Sequence, residues 1–203
     1  MIVIPLVWRF APRLGMVDKP DPRKVHHDPI ARVGGWGIVL GTVIAVLVWL
    51  PINELLATYL FGSLVLLAFG AWDDAREIGH YAKFAGQLLA VIPLVVVGDL
   101  TVQTLPFMDG ETLPPFVAIP FTVFALIGLI NAINHSDGLD GLAGGEALMS
   151  LIVIGFLAYL ARDSQSLIVA CAALGGLVGF LRYNTHPARL FMGDSGSQFL
   201  GFT

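Results

Sequence analysis

Six apolar stretches, each close to the length needed to cross a bilayer, leave this chain few folds to choose from. They cover residues 36–52, 57–72, 84–98, 116–133, 147–161 and 166–181. A helical span needs roughly 20 predominantly apolar residues, because in lipid every backbone N–H and C=O must be satisfied inside the segment. With 56% hydrophobic residues, 13% charged residues and a mean hydropathy of +0.80, the chain falls among polytopic membrane proteins. The sequence therefore predicts an all-α, polytopic transmembrane helical bundle of about six full spans. Partial spans are expected at both ends: residues 197–203 begin another, and residues 1–8 are apolar but too short to cross and lack the flanks of a signal peptide.

Charge fixes an expected orientation. If the spans alternate, Arg9, Arg13, Lys19, Arg23, Lys24, Arg32, Arg76, Lys83, Arg182 and Arg189 share one side, and Arg162 alone lies on the other. The positive-inside rule makes the first side cytoplasmic. The same face collects Asp73, Asp74, Glu77, Asp137, Asp140 and Asp194, whereas the opposite loops carry Glu54, Asp99, Asp109, Glu111 and Asp163 without a pattern. Clustered acids among Lys and Arg suit a metal and phosphate groups, and nothing resembles a nucleic-acid module. Cys171 is the single cysteine and sits in an apolar stretch, which excludes an intrachain disulfide and a thiolate metal site. Residues 99–115 read as an extracytoplasmic loop with a short hairpin.

Three acidic motifs lie at the ends of these stretches. Asp73-Asp74 closes the second and opens a loop; adjacent carboxylates repel unless a cation, a proton or hydrogen bonds offset the charge. A solvated loop at a helix C-terminus is the competing account, despite the unfavourable helix dipole. In Asn131-Ala-Ile-Asn134-His-Ser-Asp137-Gly-Leu-Asp140, polar residues recur every third position and share one face if the segment is helical. Amide side chains suit uracil-like and sugar groups, and the carboxylates suit a metal or a proton transfer; a capped turn is the alternative. Phe191-Met-Gly-Asp194-Ser-Gly-Ser places a carboxylate ahead of a helix, as a Mg²⁺ ligand or as an N-cap. The basic, proline-rich segment Gly15–Gly35 offers cations to a phosphate or to anionic lipid. His26 and His27 within it are weak metal candidates, while His80, His135 and His186 read as ordinary loop residues.

Together these motifs resemble the polyprenyl-phosphate N-acetylhexosamine-1-phosphate transferases. The matching residues are Val17-Asp-Lys-Pro, Arg23-Lys, His26 and Gly34-Gly35, then Asp73-Asp74 with Glu77. They continue through Asn131, Asn134 and Asp137-Gly-Leu-Asp140-Gly-Leu to Asn184 and Phe191-Met-Gly-Asp194-Ser-Gly-Ser. The likeness covers nearly the whole chain. It is greatest to the bacterial branch that starts O-antigen, common-antigen or teichoic-acid-type polymers. The peptidoglycan branch typically carries Lys where Glu77 stands and a Thr-Met-Gly-Gly-type loop where this chain has Ala31-Arg-Val-Gly-Gly.

The resemblance implies a reaction in which undecaprenyl phosphate and a UDP-N-acetylhexosamine give the diphosphate-linked sugar and UMP, with Mg²⁺ (or Mn²⁺). It implies Asp194 as a metal ligand, and Asp73 and Asp74 as groups that position or deprotonate the lipid phosphate and contact metal. Asp140, Asn184 and Phe191 would hold the uridine, with Asn134 and Asp137 shaping the same pocket. The expected setting is the bacterial cytoplasmic membrane with the site facing the cytoplasm, and a homodimer is left open. The family pattern has a full helix before the basic loop and further spans after Met-Gly-Asp. The resemblance therefore implies that residues 1–203 are one transferase domain truncated at both ends, its own activity open. A transporter or lipid-binding protein and an inactive transferase remnant are the competing functions. Acids at span ends on one face, and not at the bilayer midplane, favour the enzyme.

Overall fold

The computed structural model describes residues 3–18, 20, 28–106, 108 and 111–203. Lys19, Arg23, Lys24, His26, His27 and Asp109 lie outside the described residues, so the basic-loop expectation is addressed only through Asp18, Arg32 and their neighbours. Helices dominate: α1 (Val3–Leu14), α2 (Gly34–Trp49), α3 (Glu54–Arg76), α4 (His80–Val96), α5 (Pro115–Ser136), α6 (Leu142–Ala161), α7 (Ser164–Asn184) and α8 (Asp194–Phe202). Each of the six apolar stretches is a helix. Four of these, α3, α5, α6 and α7, are long and apolar enough to cross a membrane, while α2 and α4 are apolar but only 16 and 17 residues long. Length and composition thus support four spans, against the six expected.

Local chemistry sets the helix boundaries. Asn53 caps α3 by accepting the Leu56 N–H at 2.8 Å, and Asp163 caps α7 by accepting the Gln165 and Ser166 N–H groups. Pro115 occupies the first turn of α5, where no intrahelical N–H bond is needed. At the far ends of α3, α5 and α7 the helices run beyond the apolar stretch. Asp73 and Asp74 are not a solvated loop but buried residues in the last turns of α3. Asn131 and Asn134 are helical, Asp137 is the C-cap of α5, and Asp140 falls in the turn beyond, so the four-residue face is only half a helix face. Asp194 is the first residue of α8, with Gly193 as N-cap, and so is not itself the cap. In residues 99–115 no described strand forms, although the Leu113 N–H donates to the Gln103 carbonyl at 2.7 Å as a hairpin closure would.

The helices pack as two groups around a short central one. α2 packs on α7 and α7 on α6; α3 packs on α4 and α4 on α5; α8 fits between α2, α3 and α5. Every residue of α8 from Ser195 to Phe202 is buried. The outward faces are apolar, with Phe124 76% and Met149 64% exposed, as suits helices bathed in lipid. Because lipid tails are as apolar as Leu, helix association here depends on close contact between small residues. Gly70 of α3 faces the Ser195 backbone, and Gly35 of α2 faces Gly196, so that α8 sits backbone to backbone against both neighbours. The all-α expectation needs one addition. Two-residue strands β1 (Val17–Asp18) and β2 (Ile30–Ala31) pair antiparallel, and Ala31 bridges in parallel to Leu190.

A Cβ at Gly70 would overlap the Ser195 N and Cα atoms, whereas one at Gly128 meets nothing within 4 Å. Gly70→Ala should therefore destabilise the fold by about 1–3 kcal/mol, read as a lower melting temperature in detergent. Gly128→Ala should melt no lower than the parent. Equal melting of Gly70→Ala and parent would show that α8 is not seated as described.

Candidate active site

The connections that follow α1, α5 and α7 meet the last turns of α3 at one end of the bundle and line a cavity of about 860 Å³. That volume lies within the range of small-molecule and cofactor sites. Of the residues expected at the site, Asp74, Asp137, Asp140, Asn184, Phe191 and Asp194 line it; Asp73 and Asn134 stand behind the lining. Asp18, Arg32 and His186 complete the polar wall.

Asp74 organises one side. Its Oδ1 accepts the Asp194 N–H at 2.9 Å, and its Oδ2 accepts the Ser195 N–H at 3.3 Å and the Ser195 hydroxyl at 3.1 Å. The carboxylate thus binds the positive end of α8, where unpaired amide donors and the helix dipole favour an anion. Gly193, with φ +74°, is required here because a Cβ would strike the Asp74 carboxylate. Asp73 looks elsewhere. Its Oδ2 is 2.8 Å from the Lys83 ammonium, which also donates to Asp194 Oδ2 at 2.6 Å. Lys83 therefore bridges two carboxylates from α3 and α8. Asn134 reaches the same place from α5, donating to the Ser197 hydroxyl at 2.8 Å.

The opposite wall is built on backbone strands. The Phe191 N–H donates to the Ala31 carbonyl at 2.9 Å, the Gly34 N–H to the Phe191 carbonyl at 3.0 Å, and the Arg32 N–H to the Met16 carbonyl at 2.9 Å. This ladder holds Asp18, Arg32 and Phe191 in fixed register at the cavity, with Arg32 ion-paired to Asp18. The floor is joined through Asn184, only 3% exposed, whose Oδ1 accepts the Gly141 N–H at 3.0 Å and whose Nδ2 donates to the Leu190 carbonyl at 2.9 Å. Both of its polar atoms tie the turn after α5 to the segment before α8. Asp140 Oδ2 accepts from the Ala188 N–H and pairs with His186 Nδ1, both at 3.0 Å.

Lys83 and His186 are the site residues that the sequence did not single out, whereas Arg32 and Asp18 belong to the basic segment and the Val17-Asp-Lys-Pro match. Lys83 served only as a topology charge, and no local pattern distinguished His186 from the other histidines. The available signal for Lys83 was a lone cation in the first turn of an apolar helix. Glu77 lies outside the cavity wall as the exposed, left-handed C-cap of α3.

The donors present fit a hard divalent cation. They are carboxylate oxygens, and Asp73 Oδ1 is buried without a hydrogen-bond partner. Among the described residues no group of three His, Cys, Asp or Glu side chains is disposed around a common point. Mg²⁺ does not demand one, since one or two carboxylates plus ligand phosphate oxygens and waters satisfy it. Asp194 and Asp73 are the residues placed to serve.

Burial raises the Asp137 carboxyl from 3.8 to about 7, the nearby Asp194 charge adding to the rise and Arg32 opposing it. A carboxyl whose pKa is higher folded than unfolded favours the fold when protonated. Its contribution is complete below the unfolded value and is lost as pH rises through about 7. Between pH 5 and 8 the melting temperature of the parent should fall more than that of Asp137→Asn. Parallel melting curves across that window would refute the assignment.

With this geometry in hand, comparison with known proteins is specific. The model of the family described as glycosyl transferase family 4 matches residues 56–203. A probable undecaprenyl-phosphate N-acetylglucosaminyl 1-phosphate transferase of Bacillus subtilis (strain 168) is 36% identical over 205 residues, covering 100% of this chain and 57% of that protein. An undecaprenyl-phosphate alpha-N-acetylglucosaminyl 1-phosphate transferase of Haemophilus influenzae is 36% identical, covering 94% of this chain and 56% of its own length. A phospho-N-acetylmuramoyl-pentapeptide-transferase of Thermoanaerobacter sp. (strain X514) is 37% identical, covering 93% of this chain and 64% of its own length. The chain thus spans 56–64% of the length of these curated relatives. Apolar helices, an acidic cavity at one end of the bundle and a family match over most of its residues agree: the chain belongs to glycosyl transferase family 4.

Proposed function

We propose that the protein carrying this chain transfers an N-acetylhexosamine 1-phosphate from a UDP-sugar to undecaprenyl or another polyprenyl phosphate, releasing UMP and starting a cell-envelope polysaccharide. The observation that carries this reading is the convergence of Asp73, Asp194, Lys83, Asp137, Arg32 and Phe191 on or just behind one cavity at one end of a membrane-helix bundle. A lipid phosphate can reach such a site from the bilayer while a nucleotide-sugar enters from water. We place that end at the cytoplasmic face of the bacterial inner membrane, on the strength of its basic residues. α2 and α4 then cross as shorter spans beside the four longer ones, giving six.

In this reading an oxygen of the lipid phosphate attacks the sugar-bearing phosphorus, a P–O bond forms, and the bond to the bridging oxygen of UMP breaks. Anion approaches anion, so positive charge must be in place beforehand. Arg32, held by Asp18 in the cavity wall, and Lys83, held between Asp73 and Asp194, contribute to it. Phe191 offers a ring to the uracil, and Asn184 and Asp140 hold the turns that frame it. Asp194 and Asp73 would hold Mg²⁺, which supplies charge neutralisation at the transferring phosphoryl group. Relatives of both branches match at 36–37% identity, and the Glu77 and Ala31-Arg32-Val33 positions support the N-acetylglucosamine branch over the muramoyl-pentapeptide branch.

The test is UMP release by the intact protein in membranes given undecaprenyl phosphate, UDP-N-acetylglucosamine and Mg²⁺. Asp194→Asn should lower turnover by about 100-fold or more with membrane insertion unchanged. Near-normal turnover of that variant at ordinary Mg²⁺ would remove Asp194 from its role. No UMP from any UDP-N-acetylhexosamine would overturn the reaction itself.

A further inference from the structure

Beneath the acidic cluster lies a chain of carboxamides that the chemistry above does not use. Gln87 of α4 and Gln198 of α8 are 2% and 1% exposed, deep in the bundle. Gln87 and Asn131 of α5 exchange bonds: Asn131 Nδ2 donates to Gln87 Oε1 at 2.9 Å, and Gln87 Nε2 donates to Asn131 Oδ1 at 3.3 Å. The second hydrogen of Gln87 Nε2 goes to Gln198 Oε1 at 3.4 Å, and Gln198 Nε2 donates to Asp194 Oδ2 at 3.4 Å. Asn131 Nδ2 also donates to the Ile127 carbonyl at 2.8 Å. Each amide nitrogen and oxygen in the chain therefore has a partner.

The spacing is informative. Gln87 lies one helical turn after Lys83, and Gln198 one turn after Asp194, so each pair shares a helix face. Lys83–Asp194 and Gln87–Gln198 are then two successive rungs between α4 and α8. α4 otherwise packs mainly on α3 and α5, and α8 on α2, α3 and α5. One rung alone leaves a helix free to rotate about the contact; two rungs fix rotation and axial shift together. Asn131 supplies the post against which the lower rung is set. Carboxamides suit this task because they are neutral, donate and accept directionally, and are costly to bury in any arrangement that leaves them unpaired.

We infer that Gln87, Gln198 and Asn131 are positioning residues, a carboxamide ladder that sets the register of α4 against α8 and so places Lys83 on Asp194. The inference rests on the proposed transfer reaction for its catalytic consequence, and on the fold alone for its structural one, so the two are tested separately.

The structural test is a double-mutant cycle on melting temperature, using Asn131→Leu, Lys83→Met and both together in the intact protein in detergent. Hydrogen bonds link Asn131 to Lys83 through Gln87, Gln198 and Asp194. If the ladder sets the Lys83–Asp194 pair, the two losses fall short of additivity by several degrees. Strict additivity overturns the inference, whether or not the protein turns over. The catalytic test compares Gln198→Met, and Gln87→Leu, Asn131→Leu and Gln198→Met combined, with the parent. Replacing every member of a bonded chain by apolar groups can restore stability, whereas removing only Gln87 and Asn131 would orphan the buried Gln198 Oε1. The triple variant should melt near the parent yet lose about 10- to 100-fold in kcat, with KM for the UDP-sugar within about twofold. Gln198→Met should show the same split. Parent-like kcat in the stable triple variant overturns the positioning role. A parent that releases no UMP overturns the transfer reaction and leaves the melting cycle to decide the ladder.

Discussion

The grip of Asp74 on the start of α8 is the interaction on which the rest of this site depends. A carboxylate buried in an apolar helix bundle is costly unless hydrogen-bonded throughout. Asp74 meets that condition with two backbone amides and a hydroxyl. Bonds of this charge-assisted kind contribute about 1.5–3 kcal/mol each to the structure they close. Here they close α8 onto α3. Because α8 is nine residues long and buried along its length, fixing its first amides fixes the whole element. Asp194 is then delivered to within reach of Lys83, and Ser197 to Asn134. The acidic pair Asp73-Asp74 thus divides its work: one carboxylate seats the helix, the other shares a cation with it.

A second constraint comes from backbone strands in an otherwise helical protein. The end of the bundle must bring together segments that follow α1 and α7, far apart in sequence, and side chains alone would leave their polar backbones unmatched. The pairing of Ala31 with Leu190, extended through the Phe191 and Gly34 amides, satisfies those groups and sets the register of Arg32 and Phe191 in one step. Asn184 does for the turn after α5 what the strands do for the segment before α2. The cavity walls are therefore determined by hydrogen bonding, while the bundle beneath is determined by close packing at Gly35, Gly70 and Gly196.

How much of this was legible in the sequence follows from the range of each interaction. Apolar stretches report their own environment, so the six helices α2 to α7 could be located from composition, whereas α1 and the buried α8 were visible only as partial spans. Their ends could not, because what extends α3 through Asp73-Asp74 is burial against α8, contributed by residues 120 positions later. The three acidic motifs were visible as carboxylates placed where lipid would penalise them, and the cavity gathers them. The division of labour within Asp73-Asp74 was not visible, since adjacent identical residues differ only in what each faces. Asn184 looked like a ligand group and does line the cavity, but its bonds at both amide atoms to the Gly141 and Leu190 backbone carried no sequence signal. Lys83 looked like one more inside-facing positive charge, and only the approach of Asp73 and Asp194 gives it a distinct place. The β strip escaped notice because two-residue strands carry no periodicity.

The polar interior also explains why a membrane protein would retain so many groups that lipid disfavours. Among helices surrounded by tails as apolar as their own side chains, burial of Leu or Val gives little preference for one rotation over another. Direction has to come from groups that lose heavily when misaligned. Gln87, Asn131, Gln198, Asn134 and Ser197 are such groups, and they lie on the three helices that meet below Asp194. The glycine contacts allow α8 to approach; the amides determine how it is turned when it arrives. A site that must hold several like charges apart from water, and close to one another, needs both, because packing alone would let the bundle relax until the carboxylates had separated.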